Sequence, residues 1–88
     1  MVTTSSGNRL IERDPRIHGG EPVIRGTRVP IRSIVLSLRQ DYPGDSPAVA
    51  AAYRISLAAV EAALDYYRAH EAEIERVIEQ RERAASDH

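Results

Sequence analysis

At 88 residues the chain has the length of one small domain, without Phe or Trp and rich in Ala, so a thin core is expected and a second chain is the expected extra source of buried area, in a homodimer or on an obligate partner. The lack of cysteine excludes disulfide frameworks, thiolate zinc sites and cysteine nucleophiles, and the polar start MVTTSSGN with no apolar run near the roughly 20 residues of a membrane span fits a soluble, cytoplasmic protein. The formal net charge of −1 conceals a split: Arg9, Arg13, Arg16, Arg25, Arg28, Arg32 and Arg39 face only Glu12, Asp14 and Glu21 in the front half, whereas acids outnumber arginines from Asp41 onward, which places any polyanionic partner at the front.

Residues 1–8 are small and polar and read as a disordered lead-in, as does the tail AASDH. RLIERD and the alternation in PVIRGTRVPI predict short strands, joined by the turn-forming IHGGEP. In PIRSIVLSLRQ, Ile31, Ile34, Val35 and Leu38 fall at helical spacing, with Pro30 suited to the first turn and DYPGD as the stop. Ser46 before Pro47 predicts the cap of a second, short helix over SPAVAAAY, and Ser56 caps the next.

That next helix is long. Leu57, Val60, Leu64, Tyr67, Ile74 and Ile78 follow a three-four alternation broken at Glu71, so the part before Glu71 is expected to pack in a domain over residues 9–70, while residues 71–88 project and end in a disordered tail. The projecting helix reads equally well as a solvated, charge-laced surface or as a partner-binding segment. The fold class is mainly α: a small N-terminal β-hairpin, then a three-helix bundle containing a helix-turn-helix, with an extended C-terminal helix.

SPAVAAAYRISLAAVEAAL has the pattern of that helix-turn-helix, with Ala50 at the helix contact, Ile55 in the turn, and Val60 and Ala63 facing inward. Arg54 stands where the turn usually has glycine, at a steric cost. The outward face of the second helix would be Ala58, Ala59, Glu61, Ala62 and Asp65, which is poor in base-reading groups. If double-stranded DNA binds, Arg25, Arg28, Arg32 and Arg54 are therefore the expected contacts, to its phosphates; the alternative is a helical hairpin that makes a core or dimer face.

The run GGEPVIRGTRVPI lacks both the G-x-x-x-x-G-K-[ST] loop and the G-x-G-x-x-G turn, so Gly19, Gly20 and Gly26 read as turn or bulge positions, with Thr27 and Arg28 fixing the exit into the helix. His18, His70 and His88 are scattered without metal-ligand spacing. Asp14 with His18 offers an acid–base pair, and a turn Asp accepting backbone N–H groups is the simpler role. No catalytic, cofactor-binding or metal-binding residues are assigned, and the protein is not expected to be an enzyme.

DPRIHGGEPVIRGTRVPIRSIV, the capped helix pair after it and the ending VEAALDYYRAH resemble the family catalogued as domain of unknown function 433, over about residues 9–70. Its signature maps onto Gly20, Pro22, Val23, Gly26, Thr27, Arg28, Val29 and Pro30. The resemblance implies a hairpin joined to a helix-turn-helix bundle, usually dimeric, and a role as a VapB-type antitoxin of a type II toxin-antitoxin pair whose partner is a PIN-like ribonuclease from the adjacent gene. The basic front, with Arg76, Arg81 and Arg83 of the projecting segment, would then meet the clustered carboxylates of such a toxin. Two other readings stand beside it: a DNA-binding transcriptional regulator without a toxin, and a purely structural dimer module.

Overall fold

The structure, a computed structural model, describes residues 10–86; the expected lead-in over residues 1–8 lies outside them. Strands β1 (Ile11–Arg13) and β2 (Pro22–Ile24) pair antiparallel, with Ile11 opposite Ile24 and Arg13 opposite Pro22. A bridge from Val23 to Pro30 brings the chain back along the other edge of β2. The hairpin buries Ile11 and Ile24 in the core cluster shared with the helices, and Val23 is fully buried as well.

Helix α1 (Ile31–Leu36) starts after Pro30 and buries Ile31, Ile34 and Val35, the residues whose spacing predicts it. Its last turn widens over Ser37–Asp41, where the Tyr42 N–H closes on the Ser37 carbonyl at 2.8 Å, five residues back. The buried Ser37 hydroxyl shares a 2.8 Å hydrogen bond with that of Tyr53. Gly44, at φ 70°, then turns the chain away, as DYPGD predicts.

Helix α2 (Ser46–Tyr53) is capped one residue earlier than expected. Asp45, not Ser46, accepts the Ala48 N–H at 3.1 Å, because a carboxylate oxygen there reaches the third residue of the helix. Ser56 caps α3 (Leu57–Ala69) as expected, accepting the Ala59 N–H at 3.0 Å. The inner face of α3 consists of Ala59, Val60, Ala62 and Ala63, and such small side chains let its backbone lie close to α1 and α2. Leu57, first in the expected stripe, is 42% exposed instead.

The last helix is two. The backbone breaks at His70 (φ −131°, ψ 40°) and α4 (Glu71–Ser86) turns back onto the domain. Its first three turns do not project as expected: Ile74 and Ile78 are 1% and 5% exposed and join the core cluster with Ile31, Ile34 and Val60. Two isoleucines four residues apart form one apolar edge, and burying each is worth about 1.5–3 kcal/mol, which outweighs the cost of interrupting the helix. The tail read as disordered is helical through Ser86, and residues 87–88 lie outside the described segment. The result is a mainly helical domain with four helices and a two-stranded N-terminal hairpin.

Candidate interaction surface

The glycine-rich run is architecture first. Gly26, at φ 80°, occupies the third position of a turn closed by the Thr27 N–H on the Ile24 carbonyl at 3.0 Å, a place that favours glycine. The Thr27 hydroxyl donates to the same carbonyl at 2.8 Å and accepts the Val29 N–H at 3.0 Å. Pro22 and Pro30 are buried. His18, Gly19 and Gly20 all have positive φ, and His18 Nε2 donates to the Arg28 carbonyl at 3.0 Å, tying the first turn to the second. Asp14 takes the turn role rather than pairing with His18: its carboxylate accepts the Arg16 N–H at 2.9 Å and the Arg16 guanidinium at 3.0 Å. Among the described residues no group of three or more His, Asp or Glu side chains is placed to hold a metal ion.

The arginines singled out from the sequence divide into two sets. Arg32 and Arg81 are engaged inside the molecule on one carboxylate, Glu21, whose side chain is only 8% exposed. Arg32 Nε donates to Glu21 Oε1 at 2.9 Å, and Arg81 Nε to Oε2 at 2.9 Å while its terminal nitrogen reaches the His18 carbonyl at 3.3 Å. Burial alone would raise the Glu21 carboxyl, but the hydrogen bonds from Arg32 and Arg81 outweigh it and hold the group below its ordinary range. Arg83 pairs with Glu79 one turn away at 2.8 Å. By contrast Arg28, Arg54 and Arg76 are exposed and make no ion pair among the described residues, and Arg25 only approaches Glu12 at 4.0 Å. Arg25 and Arg28 flank the Gly26 turn, so the signature run holds these two charges out at one tip.

Residues that sequence reasoning did not single out carry the rest of the electrostatics. Arg13 on β1 binds Glu73 and the Tyr66 hydroxyl, and Arg39 binds Glu75 and, at 3.0 Å, the Tyr67 hydroxyl. Its hydrogen bond with Arg39, then that with Tyr67, holds the Glu75 carboxyl below its ordinary range, and the Tyr67 hydroxyl is raised in turn. The basic front and the acidic back are thus partly each other's partners. That signal was present in the sequence as opposite charge on the two halves, but nothing in the spacing says that α4 returns. Between the returned α4 and the first turn lies a cleft of about 330 Å³ lined by His18, Gly20, Pro22, Val77 and Arg81 among others.

Helices α2 and α3 meet at 112° across residues 54–56. Arg54 is left-handed (φ 59°, ψ 44°), the conformation whose cost its position implied, and Ala50 is buried at the crossing. Ala59 and Ala62, expected outside, are buried instead, because α3 packs against α1 as well as α2 and so covers a wider arc. The exposed face is Leu57, Ala58, Glu61, Asp65 and Arg68.

Among the described residues no single helix is long and apolar enough to cross a membrane. Fold and surface together define a small hairpin-headed helical domain whose signature run builds turns and displays charge. A family described as protein of unknown function, DUF433, matches residues 11–67, and the chain belongs to that family. No curated protein and no solved structure matches the chain. The matched span stops within α3, so α4, which closes over the hairpin, lies beyond it.

Proposed function

We propose that this protein is a binding module of the antitoxin kind, a dimer that holds and inhibits a PIN-like ribonuclease encoded by the adjacent gene and represses its own promoter. The observation that carries this reading is the set of exposed arginines left without an internal partner, Arg28, Arg54 and Arg76, with Arg25 only weakly engaged. A guanidinium fork fits carboxylates bidentately, and a nuclease that holds its metal with clustered carboxylates would lose that metal when an arginine enters the cluster. Co-expression with the neighbouring reading frame tests it. The neighbour arrests growth alone, is captured by this protein, and is harmless when both are made. In the complex, the triple variant R28A/R54A/R76A weakens binding at least about tenfold per contacting arginine, or about 1.4 kcal/mol each. Unchanged inhibition by that variant, with its fold intact, would rule the arginine mechanism out.

A second reading, a DNA-binding regulator without a toxin, draws support from the 112° crossing, within the roughly 90–120° of helix-turn-helix units. Glu61 and Asp65 on the exposed face of α3 weigh against deep entry into a groove. Under this reading, affinity for upstream DNA falls steeply with salt and is lost on R25A or R28A.

A further inference from the structure

We propose that α4 is an exchangeable arm: in a dimer, residues 57–86 run as one helix and each α4 packs on the hairpin and α1 of a second copy, with Arg81 of the partner subunit meeting Glu21. This goes beyond the antitoxin reading and does not depend on it. The other helices have boundaries written in the sequence. Pro30 precedes α1, Asp45 and Ser56 cap α2 and α3, Gly44 turns the chain after α1 and left-handed Arg54 ends α2. The break at His70 lacks such a residue; its local support is the His70 ring, whose Nδ1 donates to the Tyr66 carbonyl at 3.1 Å and which stacks on Tyr66. No Gly, Pro, Ser, Thr or Asn occurs from Leu57 to Ala85, the residue at the break is not left-handed, and its N–H still reaches back to the Tyr66 carbonyl at 2.9 Å as in a continuing helix. Local propensity therefore favours continuity, and the burial of Ile74 and Ile78, the α4 ion pairs, the Tyr67–Glu75 hydrogen bond and the His70 side-chain cap oppose it.

The apolar pattern keeps its register across the break. Val60, Leu64, Tyr67, Ile74 and Ile78 keep one heptad register, with Glu71 in place of an apolar residue between Tyr67 and Ile74, so a straight helix of about 45 Å, at 1.5 Å per residue, carries Ile74 and Ile78 away from their own core with no change of face. Straightening leaves two complementary surfaces apart: the α4 edge with Arg81, and the vacated bed of Ile31, Ile34 and Glu21, where Glu21 keeps Arg32 and loses Arg81. A second copy offers the matching half of each. Reciprocal exchange restores the contacts that α4 makes with the hairpin and α1 in the closed chain and adds the unbroken backbone, at the cost of association, which makes the balance concentration-dependent.

Charge reversal across Glu21 and Arg81 tests the exchange. E21R and R81E are purified separately, unfolded, mixed in equal amounts and refolded, with mass read by sedimentation equilibrium and stability by thermal melting. Each variant alone melts below the parent. The mixture is expected to form a dimer melting several degrees above both, because the E21R core receives the R81E arm and the R81E core receives the parental Arg81. A mixture that melts as its separate components, in the presence of a parental protein that is monomeric at every concentration, overturns the proposal. If either variant does not fold alone and the mixture is not rescued, the linker decides. Inserting Gly-Ser-Gly-Gly after His70 lets α4 close on its own chain, so a parental dimer is expected to become a monomer with its helix content kept. A parental dimer that survives the insertion is a face-to-face dimer, and the proposal fails.

Discussion

Arg54 and Glu21 each bear a local cost that the surroundings repay differently. Arg54 is a side chain in a left-handed turn, where such a residue costs about 1–2 kcal/mol and glycine almost nothing. R54G is expected to stabilise the fold by about 0.5–1 kcal/mol in urea unfolding, after allowance for the greater freedom of glycine in the unfolded chain. Glu21 is a nearly buried carboxylate made tolerable by two arginines. Its folded pKa is depressed from the ordinary 4.5, so its contribution is fully present above about pH 4.5 and is lost as pH falls through the lower folded value. E21Q should cost about 2–3 kcal/mol near neutral pH, less than the ~3–5 of a fully buried pair because Arg81 remains half exposed, and should flatten the acid limb of the stability curve. An acid limb as steep as the parent's would mean that another carboxylate controls it.

At the scale of elements, capping and packing make separable predictions. Removal of the α2 cap by D45A should cost about 1 kcal/mol, whereas S46A stays within about 0.5. The opposite order would restore Ser46 as the cap. The return of α4 rests on its apolar edge, and I78A is expected to cost about 2–4 kcal/mol through lost burial and the cavity left behind. A near-neutral I78A, measured by denaturant unfolding at fixed protein concentration, would place α4 away from the core.

Across the whole molecule, charge segregation works internally before it works on a partner. Arg13, Arg39 and Arg81 link the front to α4 or α4 to the front, but both partners of the Arg13 and Arg39 pairs are 33–48% exposed, and surface pairs of that kind contribute about 0–1 kcal/mol each and are screened by salt, whereas the pair of Arg81 with the nearly buried Glu21 is screened less. Raising the salt to about 1 M is therefore expected to lower the unfolding free energy by no more than about 1–2 kcal/mol, as read from urea midpoints, because the apolar core holds α4 in place. A collapse of stability in salt would show that the ion pairs, not Ile74 and Ile78, close the domain.

Local chemistry was legible in the sequence: the hairpin from its alternation and glycines, α1 from the spacing of Ile31, Ile34 and Val35, the start of α3 from Ser56, and the left-handed turn from the place of Arg54. These depend on a residue and its near neighbours along the chain, and the same is true of the arginines that the Gly26 turn displays. The return of α4, the burial of Ala59 and Ala62, and the division of the arginines into engaged and free were decided by tertiary structure. Residues 57–86 alone describe one long helix, interrupted in its apolar stripe at Glu71 but without a Gly, Pro or capping Ser, Thr or Asn near His70 to stop it. Only when α1 and the hairpin lie beside it do Ile74, Ile78 and Glu21 find one another, because long-range burial adds a free energy that no local pattern contains.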